Sequence, residues 1–153
     1  MTPSEQLPSS LTSEQDRHAI LQTLHSYQQG FSGSRPDIAQ NAYHKPCSFV
    51  DEQEVVLRNT QSEIEKFLKS VIDGLKSRGW HHSQWKEIYI HPMDCQRAMV
   101  STLAVRYKTG GTELERIGGT YVFRKTTAGW KIAMALSPPP GRVIRLGDPY
   151  PLS

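Results

Sequence analysis

Between Trp80 and Leu136 the chain carries four β-rich runs separated by three turn signals, and this stretch leaves few choices of fold. His82 to His91 holds Trp85, Ile88, Tyr89 and Ile90, and Pro92-Met93-Asp94 stops it. Arg97 to Lys108 follows, with Met99, Ser101, Leu103, Val105 and Tyr107 on one face. Ala98, Val100, Thr102, Ala104, Arg106 and Lys108 share the other, and Arg106 and Lys108 are expected to mark the end that reaches water. Gly110-Gly111 reads as a hairpin turn, because adjacent glycines admit the positive φ that tight hairpins require. In the third run, Thr112 to Lys125, the internal pair Gly118-Gly119 predicts a bulge or sharp bend. Thr127-Ala128-Gly129 turns the chain into Trp130 to Leu136, and Pro138-Pro139-Pro140 ends the block, since proline donates no ladder hydrogen bond. Four long strands joined by hairpins form an antiparallel meander. A bend in it makes one face concave, and something must cover that face.

The residues that precede the strands supply the cover. Thr12 with Gln15, or Ser13 with Asp16, offers a helix start, and Ile20, Leu21, Leu24 and Tyr27 then fall on one face of a helix reaching about Gln29. Pro36 and Asp37 open a short second helix with Ile38, Ala39, Ala42 and Tyr43 inward, stopped by Pro46. Cys47 to Val50 and Val55 to Leu57 read as a short hairpin turned by Asp51-Glu52-Gln53. Thr60 and Glu63 form a capping box ahead of Ile64, Phe67, Leu68, Val71, Ile72 and Leu75, which match the helical template. Helices followed by strands define an α+β fold with the helices on one face of the sheet. The expected organisation is a flexible arm at 1–11, one α+β domain at 12–137 and a Pro-rich extension at 138–153.

Composition narrows the function classes. A chain of 153 residues makes one domain large enough for a core without staples. The formal charge is +3 and no basic run with interleaved aromatics occurs, which argues against nucleic acid as a partner. No run is apolar enough to cross a membrane, and residues 1–11 lack a secretory pattern. Cys47 and Cys95 stand alone without metal-type spacing and read as reduced thiols of a cytoplasmic protein. Neither an HExxH helix nor a P-loop, a GxSxG elbow or a dinucleotide fingerprint is present, so no metal and no cofactor is expected.

Three local features carry a family resemblance across about Thr12 to Ser137. They are the short helix running into a strand (Asp37 to Asp51), the capped helix Thr60 to Arg78, and the terminal hairpin from Gly119 to Ala133. In this order they resemble the nuclear transport factor 2-like superfamily, which includes SnoaL-like cyclases and ketosteroid isomerases. The resemblance implies a cone-shaped barrel of a bent, mainly antiparallel sheet covered by N-terminal helices around an internal cavity. It also implies a homodimer through the outer sheet face, and an occupant that is a small hydrophobic molecule. The ketosteroid isomerase pattern places its helix tyrosine on Tyr27 and its post-strand aspartate on Asp51. Its third residue, a protonated aspartic acid, has no counterpart; the corresponding place falls near Tyr121.

Two function classes stay open. One is an enzyme that abstracts a proton from a small carbonyl compound without a cofactor, as an isomerase, cyclase or dehydratase. In it Asp51 is the base, Tyr27 the oxyanion donor and His44 a proton shuttle at the end of the short helix. Tyr43, Phe49, Trp85 and Tyr121 are the expected pocket residues. The other class is a non-catalytic ligand-binding or dimerisation module. In it Asp51 is a turn residue, Tyr27 a core tyrosine and His44 a rim residue.

Overall fold

The structure, a computed structural model, describes residues 12–137 and 142–152. The arm expected at 1–11 and the three prolines at 138–140 lie outside the described residues.

Helix α1 spans Glu14–Ser32. Ser13 caps it: its side chain accepts from the Asp16 amide, and the Asp16 carboxylate accepts from the Ser13 backbone in return. The helix runs three residues beyond Gln29 because Gly30 is helical, and Gly33 caps its end. At Gly30 the backbone of Ala39 approaches so closely that a Cβ would lie 2.8 Å from the Ala39 nitrogen. That approach lets α2 (Pro36–Ala39) pack flat on α1. A 3-10 turn over Gln40–Ala42 leads into β1 (Tyr43–Val50), which pairs antiparallel with β2 (Val55–Arg58). The strand thus begins four residues before the expected Cys47, and Pro46 lies inside it rather than stopping a helix. The β1–β6 register shifts between Tyr43 and Ser48, so Pro46 falls where the ladder is irregular. Helix α3 (Gln61–Ser77) starts at Thr60, whose hydroxyl accepts from the Glu63 amide at 3.2 Å, and it buries Ile64, Leu68, Ile72 and Leu75.

The meander follows as β3 (Trp80–Pro92), β4 (Arg97–Lys108), β5 (Glu113–Thr126) and β6 (Gly129–Leu136), and β7 (Asp148–Pro149) closes the chain. The sheet order is β2-β1-β6-β5-β4-β3-β7. Among the described residues only β1 and β6 run parallel; the other pairings are antiparallel. The result is an open α+β cone with helices on its concave face. Its core joins Ile20, Leu24 and Phe31 of α1 to Ile64, Leu68 and Ile72 of α3 and to Val100, Phe123 and Ile132 of the sheet.

Strand alternation tells which face is inside. On β4 the even positions face the helices: Ala98 and Val100 enter the core and Thr102, Ala104 and Arg106 continue the same row. On β3 the register shifts at Trp80/His82 and again at Trp85/Glu87, so the inward set is Trp80, then Ser83 and Trp85, then Ile88 and Ile90. The expected bulge at Gly118-Gly119 is not there: Thr102 pairs with Gly119 and Leu103 with Gly118 in unbroken register. Gly119 serves space instead. A Cβ on it would meet the Tyr121 hydroxyl at 2.6 Å and its Cζ at 2.9 Å, so the ring of Tyr121 lies directly over the glycine.

Candidate functional site

Where the core row of β4 reaches Thr102, Ala104 and Arg106, the helices no longer fill the cone. A cavity of about 310 Å³ remains. Tyr27, Gln28 and Phe31 of α1 line it, with Tyr43 and Phe49 of β1 and Phe67, Leu68 and Val71 of α3. The sheet contributes Ser83 and Trp85 of β3, Ile117 to Gly119 and Tyr121 of β5, and the end of β6.

The aromatic rings form one connected wall. Tyr27 is its hub, with ring centroids 5.6 Å from Phe31, 5.7 Å from Tyr43 and 6.3 Å from Trp85. Tyr43 packs 5.3 Å from Phe49, and Phe49 4.9 Å from Phe67. Spacings of this kind are those of attractive offset and edge-on pairs. Trp85 is fixed by its indole N–H, which donates to the Leu24 carbonyl at 3.1 Å. Outside the wall, the Arg58 guanidinium lies 4.6 Å from the Phe49 centroid and 4.1 Å from that of Phe67.

Three phenols share this environment. Burial raises the pKa of Tyr27, against the weaker opposing effects of the neighbouring Tyr43 hydroxyl and the Arg106 charge. Burial raises Tyr43 well above the usual tyrosine value, and the proximity of Tyr27 and Tyr121 adds to the rise. Burial also pushes Tyr121 up. All three are therefore neutral hydroxyls near pH 7, able to donate a hydrogen bond to an acceptor in the cavity.

Arg106 is the charged member of the lining. Its side chain is 15% exposed, and Nη1 donates to Glu115 Oε1 at 3.0 Å. The expectation that Arg106 marks a water-facing strand end is thus corrected: Lys108 is exposed, whereas Arg106 turns inward onto a partner. Glu115, its side chain 21% exposed, holds both Arg106 and Arg78. Strand register could have revealed the pair, since Arg106 and Glu115 are equidistant from the Gly110-Gly111 turn.

The structure brings Tyr27, Tyr43, Phe49, Trp85 and Tyr121 to one cavity. Asp51 and His44 are not in its lining. The exposed Asp51 carboxylate accepts from the Gln53 and Glu54 amides at 2.8 and 2.9 Å, and those bonds lower its pKa. It is a turn-closing carboxylate, the opposite of a desolvated base. His44 lies on β1 rather than at a helix end, next to the inward Tyr43, and its Nδ1 contacts the Pro46 carbonyl at 2.8 Å. Among the described residues no three His, Cys, Asp or Glu side chains gather as a metal site would require. Sequence reasoning missed Arg106, Phe67 and Thr102 as lining residues.

An open α+β cone, helices on its concave face and a cavity between, is the architecture of the nuclear transport factor 2-like proteins, and solved structures agree. A protein of unknown function with a cystatin-like fold from Nostoc punctiforme superposes with a TM-score of 0.70 at 9% identity, covering 82% of this chain and 92% of that one. A protein of unknown function from Shewanella oneidensis gives 0.64 at 18% identity over 79% and 97%. A Streptomyces avermitilis protein described as a proposed dehydratase of the NTF2-like family gives 0.61 at 12% over 82% and 96%. The model of one family, NTF2-like protein (DUF6841), matches residues 14–140, and the chain belongs to that family. No curated protein matches the sequence. No described helix is long and apolar enough to cross a membrane.

Proposed function

We propose that this protein binds a small, mostly apolar molecule inside its cone, gripping an oxygen acceptor on that molecule through the Tyr27, Tyr43 and Tyr121 hydroxyls. The observation that carries this reading is the make-up of the lining: a connected aromatic wall, three neutral phenols and, among the described residues, no aspartate, glutamate, histidine, lysine or cysteine. Such a surface supports burial of an aromatic or polyketide-like carbonyl compound. It offers no side chain suited to abstracting a proton near pH 7. The binding module is therefore favoured over the proton-transfer enzyme. The enzyme reading keeps Tyr27 as oxyanion donor, and its base has to come from outside the lining. The homodimer and the cytoplasmic location belong to the same proposal; sedimentation equilibrium and cell fractionation test them.

The test is calorimetric titration with a neutral aryl ketone such as 2-acetonaphthone. Saturable binding is expected in the wild type. Ala104→Leu adds three carbons to the cavity wall and is expected to weaken it tenfold or more while the protein stays folded. Absence of saturable binding in the wild type, or equal binding by the variant, overturns the cavity as the ligand site.

A further inference from the structure

Arg106 gives the cavity a sign. Its guanidinium meets Glu115 through one nitrogen only, and that carboxylate is shared: Glu115 Oε1 also accepts from Arg78 Nη1 at 2.9 Å. Two guanidiniums on one carboxylate leave one positive charge over. Among the described residues the cavity lining contains no acid to take it up. Among the described residues, Nε and Nη2 of Arg106 donate no hydrogen bond, so one edge of the planar fork is unused. Arg106 also stands close enough to Tyr27 and Tyr121 for its charge to act on both phenols. A largely buried cation with a free edge, beside two hydroxyl donors, is the arrangement that makes burial of a carboxylate tolerable.

Resting on the cavity reading above, we propose that the ligand is a monoanion, a small aromatic or otherwise apolar carboxylate. Its carboxylate lies on the free edge of Arg106, with Tyr27 and Tyr121 donating to it, and its hydrocarbon part lies against Phe49, Phe67 and Trp85. A phosphate dianion does not fit this balance, because it brings two charges against a surplus of one. Glu115 competes with the ligand for Arg106, and Arg78 draws it away, so the shared carboxylate tunes the affinity without touching the ligand.

The experiment is a matched pair, 2-naphthoate and 2-naphthamide, titrated calorimetrically at low salt beside the neutral ketone. The two differ in charge and hardly in shape. The acid is expected to bind the wild type roughly tenfold or more tightly than the amide. Arg106→Gln should bring the ratio to about one or below, with an unchanged far-UV circular dichroism spectrum to show the fold intact. Glu115→Gln removes the competitor and should raise the ratio. If acid and amide bind the wild type equally while the ketone binds, the anion proposal is overturned and the cavity reading stands. A preference for the acid that survives Arg106→Gln also overturns it, because the charge is then held elsewhere. If none of the three compounds binds, both readings fall together.

Discussion

Gly119 and Tyr121 show how one missing methyl group shapes the site. The ring of Tyr121 occupies the space where a Cβ of Gly119 would be. Gly119→Ala must therefore push the phenol towards the cavity, which shrinks it and turns its hydroxyl away. A cost of about 1–3 kcal/mol is expected from overpacking, read as a lower denaturant midpoint at unchanged slope, together with weaker ligand binding. The aromatic lining was legible in the sequence because rings on amphipathic helices and alternating strands must point inward somewhere. The place of Asp51 was harder to read. An aspartate after a strand is a turn former or a base depending on whether the following amides turn back to it, and those of Gln53 and Glu54 do. Arg106 was hidden by a habit of reading charges at strand ends as solvated, when its partner lay four residues beyond the glycine turn.

Among the elements, α1 has one carboxylate that both caps it and ties it to the sheet. Asp16 Oδ2 takes the cap hydroxyl of Ser13 at 2.8 Å, while Oδ1 takes the Trp130 indole N–H at 3.0 Å and Lys125 Nζ at 3.0 Å. One residue thus closes the helix end and ties it to the β5–β6 hairpin. Burial alone would raise its pKa, but the hydrogen bonds from Trp130, Lys125 and Ser13 outweigh that and hold it at about 2. A folded-state value below the unfolded one gives stability that is present above about pH 4 and is lost as pH falls towards 2. With a side chain 13% exposed, the contribution is at most about 2 kcal/mol. Asp16→Asn should therefore lower Tm at pH 7 and lose its effect near pH 2, as a pH series of thermal melts would show. The sequence announced the cap, since Ser13 and Asp16 have capping-box spacing. It could not announce the second half of the contact, because Trp130 lies 114 residues away. The two register shifts of β3 were equally out of reach. Each arises from pairing with β4, and a strand read alone shows only its own alternation.

Across the whole molecule, the last residues act as a strap over the joint between α1 and the sheet edge. β7 pairs with β3, and the Tyr150 amide donates to the Ile88 carbonyl at 2.7 Å. The Tyr150 hydroxyl meets His18 Nδ1 at 2.7 Å, and Asp148 pairs with Arg17 at 3.1 Å, both on α1. Pro151 and Leu152 then line an outer groove with Leu21, His25 and His82. Tyr150→Ala should release this strap. A loss of about 1–2 kcal/mol, or a few degrees in Tm, is expected, with faster hydrogen exchange at residue 150 and unchanged exchange in α3.

Gln28, Ser83 and Trp85 border both the outer groove and the inner cavity, so the Trp85 indole is the partition between them. Trp80 and Trp130 sit in the packed core, away from either space. With those two replaced by phenylalanine, the protein would carry a single tryptophan at the boundary of its inner cavity. Its emission colour and its quenching by iodide or acrylamide would then report, in real time, from which side a molecule enters.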